Sequence, residues 1–361
     1  MIALPRYRSQ IAQSLHYFAR PHERVRRQPL RCEAAWRGDE LGDATRYRDV
    51  LDEAEADEIL AAVRHARALG RPTGELRERD FPLPTLARKI DRYRRAIRHG
   101  LGFQLVSGVP VDRMSEQDAE LFFWCFGLHL GIPGAQNPAG ELLGHVRDTG
   151  APPDGTVRQY RTREHIDFHC DLADVVGLLC LETAASGGRS RIASSVTAYN
   201  TLLAERPDLV ERLYQPFLMD TKGEGGVPYI PIVPCAHAAD ELRTFWHIGY
   251  FRSVARLAGA PPIDQRAQAV IDFYDEAMNA PGAALEMDFA AGDIQLLSNH
   301  TIVHARTGYE DAPASERKRH LLRLWLSLPE QLSLPLRLRK ELSRARVLGT
   351  LISGRIAHKL R

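Results

Sequence analysis

The chain has 361 residues, 44% of them hydrophobic, and a formal net charge of +2. That is enough apolar material for a sizeable core, which excludes global disorder, and the near-neutral charge favours no class of macromolecular partner. Five cysteines (Cys32, Cys125, Cys170, Cys180, Cys235) form no Cys-x-x-Cys pair, and no window reaches the roughly 18 apolar residues a membrane helix needs. Reduced thiols in a cytoplasmic protein are expected, with no secretory h-region at the N-terminus.

In chain order, residues 1–31 are arginine-rich, as are 335–361, so both ends are expected to be solvated, helical or frayed. A basic surface for an acidic partner, such as a carrier protein, is the other reading. Residues 51–70 place Ile59, Leu60, Val63 and Ala66 on one helical face and stop at Gly70. Residues 102–110 predict a strand. Residues 115–131 predict a helix opened by Ser115 and Asp118 at capping-box spacing. Further strands are expected at 165–172, 175–182, 228–234, 294–298 and 320–328, with a helix over 263–282 capped by Asp264. No G-x-G-x-x-G or Walker motif occurs. Short strands dominate the later two-thirds and helices mostly precede or interrupt them. The pattern predicts an α+β protein: a jelly roll, cupin-like, with flanking helices.

The stretch "HIDFHCDLAD" (165–174) holds two His-x-Asp pairs. Read as a strand, it puts His165, Asp167, His169 and Asp171 on one face and Ile166, Phe168, Cys170 and Leu172 on the other. One such pair is expected by chance about once in a chain with this many histidines, and two residues give a metal only two ligands. Downstream, "GDIQLLSNHTIVHARTGYED" brings His300 and His304. The strand "RHLLRLWLSL" then carries Arg319, Leu321 and Arg323 on one face. Arginines in an apolar strand need a carboxylate, from the protein or from a ligand. Two histidines and one carboxylate on one side of a metal form the facial triad of non-haem Fe(II) oxygenases. A zinc-type hydrolase on a cupin-like barrel, or a non-catalytic binding module, is the alternative.

Ordered blocks across residues 85–328 resemble the TauD/TfdA-like family of Fe(II)/2-oxoglutarate-dependent dioxygenases. They are "GFQLVSGVPVD", "FHCDLADVVGLLCL", "SGGRSRIASSVTAYNTL", the distal-histidine block and "RKRHLLRLWL". The resemblance implies a double-stranded β-helix over 46–330, with a basic N-terminal extension (1–45) and a basic helical tail (331–361). It implies Fe(II) on His169, Asp171 and His304, and not on His165, Asp167 or His300. Arg319 would hold the far carboxylate of 2-oxoglutarate, with Ser190 beside it. Arg323 would lie near the other carboxylate or an acidic substrate. His165 falls at a substrate-contact position, and Asp167 shares its face. The implied reaction uses Fe(II), 2-oxoglutarate and O₂ to oxidise an unactivated C–H, most simply by hydroxylation, releasing succinate and CO₂. Desaturation or ring closure are variants, and the presence of Asp171 disfavours halogenation. The expected partner is a small molecule, free or tethered to a carrier protein. Neither nucleic acid nor membrane is expected, and a homo-oligomer is left open. Trp246, Tyr250 and Phe251 are candidate walls of the pocket, and Cys170 is expected to be buried and inert.

Overall fold

The structure, a computed structural model, describes residues 9–150, 158–312, 317–328 and 338–349. Its centre is a pair of facing sheets. The larger contains β1 (Arg48–Val50), β2 (Phe103–Ser107), β3 (Ile132–Pro133), β4 (Leu143–Val146), β6 (Val175–Glu182), β14 (Ile294–Ser298) and β17 (His320–Ser327). They run in the order β1-β2-β14-β6-β17, with both β3 and β4 paired to β17. Only the β1–β2 pair is parallel. The smaller sheet has the order β13 (Leu285–Met287), β8 (Ser190–Ser194), β15 (Ile302–Arg306), β5 (Ile166–His169), all antiparallel. Phe103, Val176 and Trp325 of the large sheet pack on Ile192, Ile302 and Met287 of the small one. The predicted strands at 175–182 and 294–298 are found with those bounds, because their apolar runs are buried and stop at charged or turn residues. Three ribbons complete the strands: β7 (Ser186–Gly187) with β16 (Tyr309–Glu310), β9 (Phe217–Asp220) with β10 (Tyr229–Ile232), and β11 (Cys235–Ala238) with β12 (Glu241–Thr244).

Helices cover both outer faces. Helices α2 (Glu53–Ala68), α3 (Leu86–His99) and α4 (Glu116–Leu130) pack on the large sheet, where Phe122, Phe123 and Trp124 meet Leu322 and Leu324. Helix α2 opens with an Asp52–Glu55 capping box and stops before Gly70, whose φ of +61° suits a residue without Cβ. Its buried stripe runs through Ile59, Val63 and Ala66 as expected, while Leu60 lies off it. Helices α5 (Ser195–Glu205) and α7 (Gln265–Asn279) cover the small sheet together with the short α6 (Ile248–Arg252). Asp264 caps α7, accepting from the Ala267 amide.

The N-terminal segment corrects the expectation of a solvated end. Helix α1 (Gln10–Phe18) buries Gln13, His16 and Tyr17 against the barrel. The helix itself holds no arginine; those of residues 1–31 lie to either side of it, and Arg20 just past its end is buried, so a tally of charge over the segment concealed the helix's inward face. The basic C-terminal reading lies largely outside the described residues, of which 338–349 are helical. No helix among the described residues is long and apolar enough to cross a membrane.

Candidate active site

Strand β5 carries His169 at its last position, and Asp171 follows two residues later. The alternation expected through residue 172 therefore ends at His169. Two backbone contacts then turn the chain inward: the Cys170 amide donates to Trp246 O at 2.7 Å, and the Asp171 amide donates to Asn299 Oδ1 at 2.9 Å. His304 sits on β15 directly opposite His169 in the antiparallel register. One donor atom from each of His169, Asp171 and His304 lies within 4.8 Å of the other two. The imidazole rings are 4.1 Å apart, and His304 Nε2 is 3.8 Å from Asp171 Oδ2.

These atoms fit a metal on three further grounds. Asp171 Oδ2 and His304 Nε2 are buried with no hydrogen-bond partner, which is costly unless something fills the gap. The ring of His169 gives its Nδ1–H to Asp167 O at 2.9 Å, so Nε2 carries the lone pair toward the centre. Burial pushes the His304 imidazole down to about 3 and also lowers His169, so both rings are neutral donors at pH 7. Burial works against the ionised form of Asp171. The facing Arg323, His304 and His169 outweigh it and hold the carboxyl below its usual range. His300 is not part of the centre: its Nε2 hydrogen-bonds Asp174 at 2.8 Å.

Two adjoining cavities, about 580 and 490 Å³ with their openings, meet at His169 and Arg323. The second is lined by Ser190, His304, Arg306, Arg319 and Arg323 among apolar walls from Leu178, Phe289 and Leu321. Arg319 and Arg306 have no carboxylate within 4.0 Å among the described residues, and Arg319 Nη1 and Arg306 Nη1 have no hydrogen-bond partner. Burial lowers both guanidinium groups, Arg306 to about 10. A cavity with this surplus of desolvated positive charge suits a dianion. Gly188 makes room for it. Its φ is +71°, and a Cβ there would lie 2.8 Å from Arg319 Nε, which gives the Gly-Gly pair its physical reason. Ser190 Oγ donates to Gln295 Oε1 at 3.0 Å beside this cavity.

The larger cavity is lined by Arg158, Tyr160, His247 and Tyr250 together with His169, Asp171 and Arg323. His247 stacks on Tyr250 at 3.6 Å, and the Arg323 guanidinium lies 4.4 Å over Tyr160. Arg158 is held by Glu224, with its Nε donating at 2.6 Å. Arg323 Nε donates to Gln136 Oε1 at 2.7 Å, and its Nη1 is 3.6 Å from Asp171 Oδ1.

The site residues read from the sequence do not all converge. His165 and Asp167 are 51% and 45% exposed, pair with each other at 3.3 Å, and line neither cavity. Strand β5 is a sheet edge, and the residues it contributes to both cavities are Ile166 and His169, the latter bridged to His247. Of the three candidate wall aromatics, Tyr250 lines the cavity, while Trp246 and Phe251 are core. Cys170 is buried, and burial pushes its thiol up to about 12. Arg306 was readable, since it shares a strand face with His304 two residues earlier. Arg158, Tyr160 and His247 lie outside the strands, where no periodicity marks them.

A family model described as "Taurine catabolism dioxygenase TauD, TfdA family" matches residues 66–325. FR-33289 synthase of Streptomyces rubellomurinus (strain ATCC 31215) is 29% identical over 313 residues, covering 84% of this chain and 92% of that protein. The taurine hydroxylase-like protein SAT17 of Stachybotrys chartarum is 29% identical over 310 residues, covering 82% and 79%. In structure, an asparagine oxygenase in complex with Fe(II), 2S,3S-3-hydroxyasparagine and succinate superposes with a TM-score of 0.61 at 19% identity, covering 78% of this chain and 93% of that one. That likeness establishes the fold. The chain belongs to the taurine catabolism dioxygenase TauD, TfdA family, and its chemistry is that of a non-haem iron(II), 2-oxoglutarate-dependent dioxygenase.

Proposed function

We propose that His169 Nε2, a carboxylate oxygen of Asp171 and His304 Nε2 hold the Fe(II), and that the chain hydroxylates a small polar molecule bound in the larger cavity. Arg319 receives the far carboxylate of 2-oxoglutarate in the smaller cavity, Arg306 adds positive charge there, and Ser190 lies beside it. The bound iron supplies O₂ activation, coupled to conversion of 2-oxoglutarate to succinate and CO₂. The chain's own residues orient and exclude water. Arg319 fixes one end of the co-substrate, Leu178, Phe289 and Leu321 dry its flanks, and Arg323 stands between the cavities. Tyr160, His247 and Tyr250 form the wall against which the substrate is held.

The observation that carries this reading is the pair of orphaned buried atoms, Asp171 Oδ2 and His304 Nε2, facing each other beside unpaired arginines. The carboxylate of Asp171 occupies a ligand position, which favours hydroxylation over halogenation. Solved structures of similar fold in complex with 3-hydroxyasparagine and (3S)-hydroxy-L-Arg add weight to a small, polar, hydroxylated product. The test is a screen for succinate release from 2-oxoglutarate with Fe(II) and O₂, run with free small acids, amino acids and carrier-bound acyl groups as separate arms. Fe(II)- and O₂-dependent succinate release that tracks loss of one substrate is expected. Product formed without O₂ or 2-oxoglutarate, as a zinc hydrolase would give, contradicts the reading.

A further inference from the structure

Strand β17 uses its two faces differently. Arg319, Leu321 and Arg323 point into the smaller cavity, while Leu322 and Leu324 point at α4. His320 shares the α4 side and lies at the end of that row, where the apolar packing gives way to polar groups. On β4, Val146 lines the smaller cavity and its neighbour His145 faces the other way. The two outward histidines meet: His145 Nδ1 lies 2.9 Å from His320 Nε2, with the rings stacked at 5.1 Å. Helix α4 presents Glu116 and Glu120, one turn apart, to the same spot. Glu116 Oε1 is 3.9 Å from His320 Nδ1, and Glu120 Oε1 is 3.8 Å from His145 Nε2. One donor atom from each of Glu116, His145 and His320 lies within 4.8 Å of the other two.

We propose that Glu116, His145 and His320, with Glu120 in reach, form a second divalent-metal site of the zinc type on the outside of the barrel. Imidazole and carboxylate are the donors zinc accepts in mixed sites. Two imidazole nitrogens on one tetrahedral zinc sit about 3.3 Å apart, from Zn–N bonds of 2.0–2.1 Å, so the present pair parts by only about 0.4 Å. Burial pushes the His320 imidazole down to about 4, so at neutral pH its ring is uncharged, and a tautomer shift moves the proton shared by His145 Nδ1 and His320 Nε2 to an outer nitrogen and frees both for the ion. The donor set grades from a buried floor to an open mouth: side-chain exposure is 10% at His320, 30% at His145, 33% at Glu120 and 48% at Glu116. That gives an ion a route in from solvent. A metal here ties the start of β17 to β4 and α4, one residue from Arg319, and stiffens the strand that holds the co-substrate cavity.

The test is zinc uptake by the full chain, measured by competition with a chromophoric chelator. Wild type is expected to take up two Zn²⁺, one in each centre. An H145A/E116Q variant and an H169A/H304A variant are each expected to take up one, and the fourfold variant none. The H169A/H304A protein should gain thermal stability on adding Zn²⁺, and the fourfold variant should not. E116Q alone alters one half-exposed carboxylate and leaves the fold intact. It should weaken the outer site at least tenfold without changing the inner one. Equal stoichiometry and affinity in wild type, E116Q and H145A/E116Q would overturn the proposal, whatever becomes of the inner centre.

Discussion

The two cavities that meet at His169 are built from different materials. The smaller rests largely on strands: Ser190 on β8, His304 and Arg306 on β15, Arg323 on β17, with Arg319 immediately before that strand. Strand register fixes these side chains, because β15 pairs residue by residue with β8, and β17 with β6. The larger takes its distinctive groups from connecting segments and a short helix: Arg158 before β5, His247 before α6, and Tyr250 within it, while Tyr160 is shared by both cavities. The rigid half is rich in unpaired positive charge. The loop-borne half is aromatic, and its Arg158 is already neutralised by Glu224. A co-substrate common to a family suits the rigid half, and a substrate particular to one enzyme suits the half that can vary without disturbing the sheets.

The sharpest way to break this division is at the junction. His304→Ala removes one of the three donors, the one whose Nε2 faces Asp171 Oδ2 at 3.8 Å. Turnover is expected to fall by at least about 10³-fold together with loss of iron at the inner centre, measured as succinate release and metal content. Next, Arg319→Gln should raise the KM for 2-oxoglutarate by about 10²–10⁴-fold, since truncating one partner of a buried charge pair costs about 3–5 kcal/mol. The main-substrate KM should move far less. A Gly188→Ala change tests the same cavity more gently. The Cβ would press on Arg319 Nε in a left-handed backbone, and a rise of about tenfold in the 2-oxoglutarate KM is expected. The converse variant, Tyr250→Ala, should raise the main-substrate KM about tenfold and leave 2-oxoglutarate binding unchanged by calorimetry. If both KM values shift together in either variant, the two cavities are not independent.

The smallest effect concerns the strut behind the centre. Asp174 accepts from His16 Nε2 and His300 Nε2, each at 2.8 Å, and Tyr17 gives its hydroxyl to Asn299 O at 2.8 Å, so α1 braces the segment that carries Asp171. Burial pushes the His300 imidazole down to about 4, against about 6.5 in an unfolded chain. As pH falls below 6.5 the unfolded state takes up a proton that the folded state refuses. Stability is therefore full above that range and declines towards pH 4, by at most about 1.4 kcal/mol per pH unit for this one group. Asp174 acts in the same direction at lower pH. Burial raises its carboxyl, but His16 and His300 more than reverse that, so its stabilisation is lost only as the pH drops below the ordinary carboxylate range. Urea unfolding of the metal-free protein between pH 7 and 4.5 should show the decline, and His300→Asn should make it shallower by this one group's share, with other histidines, His169, His304 and His320 among them, supplying the rest.

The same division explains what could be read from the sequence. Side chains fixed by strand alternation were legible: the face shared by Arg319 and Arg323, and the apolar face of Ile166 and Phe168; the choice of His169 and His304 came from the resemblance and not from alternation. Alternation gives a face and not which residues along it line a cavity, so it could not separate His165 and Asp167, half-exposed and paired with each other, from His169. The strand also ends two residues before Asp171, whose position depends on Asn299, far away in the chain. Arg158, Tyr160 and His247 carry no periodic signal, since loops are placed by tertiary contacts. Helix α1 was hidden by the arginines that flank it in sequence, which dominate the charge count of residues 1–31 while Gln13, His16 and Tyr17 of the helix face inward.

The most direct test of the central claim is anomalous diffraction at the iron edge from crystals grown without oxygen in the presence of Fe(II) and 2-oxoglutarate. The account predicts a peak about 2.0–2.2 Å from His169 Nε2, an Asp171 oxygen and His304 Nε2, with the far carboxylate of 2-oxoglutarate on Arg319. An inner centre without iron, or iron bound there with Arg319 turned away from the co-substrate, would contradict it.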